Sequence, residues 1–170
     1  MITESHIIPP EPGARKHLHL DGKKVEIATE ATEAWNRRSL EDFTKYITDD
    51  YVFECPSLGL RWEHQNDRDE GATMTDLFHN FASNVRGIIT NSVTMDDEIV
   101  CEITWSGEND GELMLPGVVS LKEPTYKPFT VQSVAIYEFD LELLKLKKCR
   151  MMFDTLNLLK QLDLYHPISK

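Results

Sequence analysis

No stretch of this sequence reaches the roughly twenty consecutive apolar residues that a helix needs to cross a bilayer. The first residues, with Glu4 and the pair Pro9-Pro10, lack the charged-then-apolar order of a signal peptide. The expected compartment is the cytoplasm. Positive charge is in short supply: 18 lysines and arginines stand against 29 aspartates and glutamates, a formal charge of −11. Such a surface repels phosphate backbones and anionic lipid, so neither nucleic acid nor membrane is an expected partner. Cysteine is scarce as well. Cys55, Cys101 and Cys149 are an odd number, widely spaced, each inside an apolar run, which predicts buried free thiols rather than a disulfide or a nucleophile.

Metal-ligand patterns are also missing. His17 and His19 stand two apart without further ligands, and the acidic stretch Asn66, Asp67, Asp69, Glu70 lacks the ordered spacing of a calcium loop. Both read as surface. The segment PTYKPF, Pro124 to Phe129, has none of the glycines that let backbone amides approach phosphate, and it reads as a connector carrying an exposed Lys127.

What remains is an ordinary globular composition, 41% hydrophobic and 28% charged over 170 residues, enough for one domain with a real core. Residues 1–20, with Pro9, Pro10, Pro12 and Gly13 and no periodicity, are expected to form an extended arm, and residues 21–170 a single domain. Val25, Ala28, Ala31, Thr32 and Trp35 fall on one helix face. Ser39 followed by Asp42 resembles a capping box opening a short helix with Leu40, Phe43 and Ile47 inward. Tyr51 to Cys55 reads as a strand stopped by Pro56, and Met74, Leu77, Phe78, Phe81 and Val85 recur at helical spacing.

After Gly87 the period changes to two. Strands are expected at Ile88–Thr94, Ile99–Trp105, Leu113–Leu121, Phe129–Phe139 and Leu143–Phe153, followed by a terminal helix, Leu156–Leu162. Helices first and then a meander of strands argue α+β: a curved antiparallel sheet wrapped around a long N-terminal helix, giving a cone with an open mouth.

One residue in this pattern invites a chemical reading. Asp154 closes the apolar string Met151-Met152-Phe153, and by alternation Lys148, Arg150, Met152 and Asp154 share a face, with Cys149, Met151 and Phe153 on the other. If the first face lines a cavity, Asp154 is a candidate acid or base whose pKa apolar walls would raise and Arg150 would lower. The competing reading makes Asp154 the N-cap of the terminal helix, worth roughly 1 kcal/mol. His64 and His79 are read as structural or surface histidines.

The strings AWNRRSLEDFTKYITDDYVFECPS (Ala34 to Ser57), GATMTDLFHNFA (Gly71 to Ala82), PTYKPF and FDTLNLLKQLDL (Phe153 to Leu164), taken in order, resemble the SnoaL-like polyketide cyclase group of the nuclear-transport-factor-two-like superfamily. The resemblance implies a cone-shaped α+β barrel with an apolar pocket, a homodimer packed through the sheet, and no metal or organic cofactor. It implies cyclase- or isomerase-type chemistry on a small hydrophobic carbonyl compound, polyketide- or steroid-like. Asp154 takes the matching acid–base position, with Arg150 or Tyr137 stabilising a developing enolate. Trp35, Phe53, Trp62, Phe78, Trp105 and Met152 are the expected pocket walls. The His that assists the Asp in cyclases is absent: Ser133, Ala135 and Tyr137 stand on that strand instead. A non-catalytic small-ligand-binding module or dimeric scaffold is the rival reading.

Overall fold

The computed structural model describes residues 12–64, 76, 78–115 and 119–165. The first element is the helix α1, Pro12–Asn36. It begins inside the expected arm, because proline at a first helical position gives up no hydrogen bond. Residues 1–11 and the histidine-free acidic stretch near Asp67 lie outside the described residues. The predicted stripe holds: Ala28, Ala31 and Thr32 are buried, with Val25 and Trp35 packed beside them. Ser39 caps α2, Leu40–Phe43, by accepting from the Asp42 N–H at 3.2 Å. Asp42 turns its own carboxylate to Lys45, at 2.6 Å.

Ile47 opens β1, Ile47–Cys55, rather than facing inward from α2. A 3-10 turn at Pro56–Leu58 leads to β2, Leu60–Glu63. Between them Gly59 takes a φ of +66°, open to glycine without strain. A helical turn at 78–81 precedes β3, Arg86–Met95, and β4, Glu98–Glu108. The single strand expected at Leu113–Leu121 is instead a small hairpin, β5 Leu113–Leu115 with β6 Val119–Leu121. Then come β7, Pro128–Asp140, β8, Lys145–Phe153, and α3, Thr155–Gln161.

The main sheet runs β2-β1-β8-β7-β4-β3. It is mixed rather than purely antiparallel: β1 and β8 pair in parallel, Phe53 opposite Cys149. Register shifts interrupt three of its pairings, at Ile47/Val52, Ile89/Asn91 and Glu138/Phe139; such bulges bend strands and increase twist. The curved sheet packs on α1, whose contacts fall on β3 and β8. Strict alternation buries Phe129, Val131, Ser133, Ala135, Tyr137 and Phe139 on one side of β7.

Alternation along β8 is as expected, but the inward face is the other one. Cys149 and Met151 are buried, whereas Arg150 and Met152 are exposed on the outer side. The physical reason is the cost of burying a cation among apolar walls. Lys148 and Arg150 instead flank Glu54 of β1, with nitrogen–oxygen distances of 3.0 and 3.7 Å, and Arg61 of β2 joins the same carboxylate. Lys148 first, and then the two guanidiniums, hold the Glu54 carboxyl below its ordinary pKa.

Candidate functional site

The space between α1 and the concave side of the sheet is not filled. A partly enclosed cavity of about 70 Å³ remains. From α1 it receives Ala31, Thr32 and Trp35; from β1, Tyr51 and Phe53; from β4, Trp105; from β7, Phe129 and Tyr137; and from β8, Cys149, Met151 and Phe153. Phe43, Leu58, Phe78, Phe81, Val85, Leu113 and Leu158 complete the wall, which carries ten aromatic rings. Trp35, Phe43, Phe78 and Phe153 are the ring-bearing wall residues that keep partial exposure.

Trp105 is held on three sides. Its indole N–H donates to Ser133 Oγ at 2.9 Å, the Trp35 ring meets it edge-on at 4.9 Å, and Gly87 lies beneath it. The helical turn that supplies Phe78 and Phe81 is tied down from both ends. Arg38 donates to the carbonyls of His79 and Ser83, at 3.2 and 2.9 Å, and fully buried Asn109 donates to those of Phe81 and Gly111.

One corner is polar. Thr32, Tyr51, Tyr137 and Cys149 supply its polar atoms, and the Thr32 hydroxyl donates to the Ala28 carbonyl at 2.8 Å. Burial pushes both phenols well above their ordinary pKa and raises the Cys149 thiol too. All three therefore stay protonated at neutral pH. Among the described residues, no carboxylate, histidine, lysine or arginine lines the cavity.

Of the expected wall residues, Trp35, Phe53, Phe78 and Trp105 line the cavity, as does Tyr137. Trp62 is buried but stands behind the wall, edge-on to Tyr51 at 5.9 Å and beside His64. Met152 is on the outer face, in an open groove with Glu102, Gln132, Ser133, Val134, Phe153 and Asp154. Asp154 is exposed and caps α3, accepting from the Asn157 N–H at 3.0 Å. Arg150 is exposed next to Glu54. The expected catalytic trio is thus not brought together: Tyr137 is inside, while Asp154 and Arg150 are outside.

His79, read from sequence as a surface residue, is buried. Its ring stacks on Trp35 at 4.4 Å and its Nε2 lies 3.1 Å from the Trp35 carbonyl oxygen. Burial lowers its pKa. Of the lining groups that the sequence reading missed, Thr32 and Tyr51 carried a findable signal: Thr32 lies on the apolar stripe of α1, and alternation from Phe53 selects Tyr51. Cys149 enters through the parallel pairing that sets it opposite Phe53.

Solved structures share this fold. A candidate SnoaL-like polyketide cyclase from Jannaschia sp. CCS1 superposes with a TM-score of 0.69 at 13% identity, covering 86% of this chain and 94% of that one. AclR, a candidate hydroxylase from Streptomyces galilaeus, gives 0.67 at 17% identity, covering 88% and 86%. A protein of ketosteroid isomerase-like fold from Catenulispora acidiphila, in complex with trimethylamine, gives 0.62 at 17% identity, covering 84% and 98%. No curated protein matches the sequence. The SnoaL-like domain pattern matches residues 28–144, and the chain belongs to that family.

Proposed function

We propose that this protein binds a small, compact, largely apolar molecule in the cone, with Tyr137 as the polar contact. The observation that carries this reading is the cavity itself: aromatic walls, one polar corner and no described lining group that exchanges protons near neutral pH. Ligand pockets combine mostly apolar walls with a few placed polar groups in the same way. About 70 Å³ suits a ligand of a few heavy atoms, and a steroid-sized skeleton would have to displace wall residues. The trimethylamine held by the Catenulispora protein is a ligand of that smaller kind. Xenon tests the reading, because dry apolar cavities take it up. Saturable NMR shifts at Ala31 and Met151 under xenon pressure, abolished in Ala31→Met, are expected; shifts spread evenly over the surface would refute it.

Acid–base chemistry on a carbonyl compound, of the cyclase or isomerase type, is a second and separate proposal. Its support is the position of Asp154 at the end of β8, beside an open groove that also contains Glu102. Exchange of the α-protons of cyclopentanone in D2O reads such enolisation directly. If Asp154 is the base, Asp154→Asn removes the protein-dependent exchange; exchange at the wild-type rate in that variant ends the assignment.

For the homodimer we propose the outer sheet face. Val134 and Met152 are exposed there, between the cations of β8 and Glu102 of β4. A two-fold contact would set each basic strand against the partner's acidic one. Sedimentation of Val134→Glu against wild type reports it: loss of the dimer is expected, and an unaltered dimer would place the contact elsewhere.

A further inference from the structure

We propose that His79 is a positioning residue for the cavity: in its neutral form it backs the Trp35 wall, and a proton on its ring unseats that wall, so that protons and the cavity ligand exclude each other. The proposal rests on the small-ligand reading above and goes further, because it makes occupancy depend on pH through a side chain that does not line the cavity.

Geometry sets the tautomer. Nε2 lies 3.1 Å from the Trp35 carbonyl oxygen, which can only accept, so Nε2 carries the proton of the neutral ring. Nδ1 is then a bare lone pair, buried and without a hydrogen-bond partner. A second proton would have to sit there, on a residue only 3% exposed, as an unpaired donor and a buried charge.

The surroundings do not accommodate that charge. Among the described residues, Arg38, in the link between α1 and α2, donates to the His79 carbonyl at 3.2 Å and repels a second cation. The carboxylate that opposes it, Asp76, is exposed, and Asp110, after β4, is spent on Ser83, whose N–H it accepts at 2.7 Å. The face of Trp35 offsets part of the cost, as ring faces do for cations, but burial prevails.

What the ring supports is the wall. His79 stacks on Trp35 at 4.4 Å with the planes 28° apart, and Trp35 meets Trp105 edge-on at 4.9 Å, so the histidine reaches the cavity through two tryptophans that line it. Phe78 and Phe81, on the same helical turn, line it too. A histidine driven toward water withdraws the backing of Trp35 and pulls on the turn that carries two further rings. By reciprocity, a ligand that needs the wall closed pushes the proton off.

The test titrates the wild-type protein by NMR, following the Cε1–H of His79 without xenon and under saturating xenon pressure. Xenon should lower the midpoint of the His79 titration by at least about 0.7 pH units, the fivefold end of ordinary coupling between sites. By the same linkage, xenon affinity read at Met151 should weaken as pH drops through that midpoint. His79→Gln, which keeps a donor for the Trp35 carbonyl and takes up no proton, should bind xenon with one affinity from pH 8 to 5. A midpoint that xenon does not lower, while xenon still shifts Met151, overturns the proposal and leaves the cavity a ligand site. A ring that stays neutral until the protein unfolds does the same, as does a pH dependence that survives in His79→Gln. Absence of xenon binding at pH 8 overturns both readings.

Discussion

Gly87 and Trp105 face each other across the β3–β4 pair, and a Cβ placed on Gly87 would fall 2.6 Å from the indole ring. Nothing about positive φ is involved: the glycine is there to give the ring room. Asn36 fixes the other side of this backbone, donating to the Gly87 carbonyl and accepting from its N–H, both at 2.8 Å. The strand cannot back away, so the indole must.

Gly87→Ala should therefore push the Trp105 ring toward the cavity. A loss of about 1–3 kcal/mol is expected from overpacking, read by urea unfolding, with a shift in tryptophan emission. A variant as stable as wild type with an unaltered spectrum would show that the ring moves freely.

Asp154 separates into two measurable roles. As an N-cap, Asp154→Ala should lower stability by about 1 kcal/mol, whereas Asp154→Asn, an equally good cap, should change it by a few tenths. Comparing the two melts isolates the cap; equal destabilisation by both would mean that the charge itself matters.

Lys24 is almost fully buried on α1, with Nζ 2.6 Å from the Asp96 carbonyl oxygen and 3.1 Å from the Asp21 carboxylate. It pins the β3–β4 turn, where Asp96 has a φ of +30°. Lys24→Met keeps the stem but strands that carbonyl, so a loss of about 1–3 kcal/mol is expected, seen as a Tm several degrees lower. No change in Tm would mean that the turn holds itself.

His79 makes stability depend on pH. Its folded pKa lies below the ordinary 6.5, chiefly through burial, with Arg38 adding to the shift and the Trp35 carbonyl and Asp76 opposing it. The unfolded chain therefore binds the proton first, and stability falls as pH drops below 6.5, levelling off once the folded-state pKa is passed. Urea midpoints between pH 8 and 5 should show this decline, and His79→Gln should flatten it. An equally steep decline in the variant assigns the effect to other groups.

How much of this was legible beforehand depends on the range of the signal. The α1 stripe, the Ser39 and Asp154 caps and the alternation along β7 are local patterns, and they are where the sequence places them. Which face of β8 turns inward is not local. It follows from Glu54, nearly a hundred residues upstream, offering Lys148 and Arg150 a partner on the outside. The same distance hid the parallel β1–β8 pairing, and Trp62 lost its expected place in the wall because β2 lies at the sheet edge, behind Tyr51. His79 failed for a different reason: one position off an apolar stripe reads as surface unless a ring such as Trp35 covers it.

The central place of β8 has a consequence for synthesis. The strand that joins β1 to β7, and supplies Cys149, Met151 and Phe153, is nearly the last part of the described chain to leave the ribosome. Until then β1 and β7 have no neighbour to share, and the apolar concave surface between them stays open to water. A nascent chain arrested before Lys145 is therefore a natural client for chaperones and a substrate for proteolysis, and contacts so distant in sequence slow the final closure.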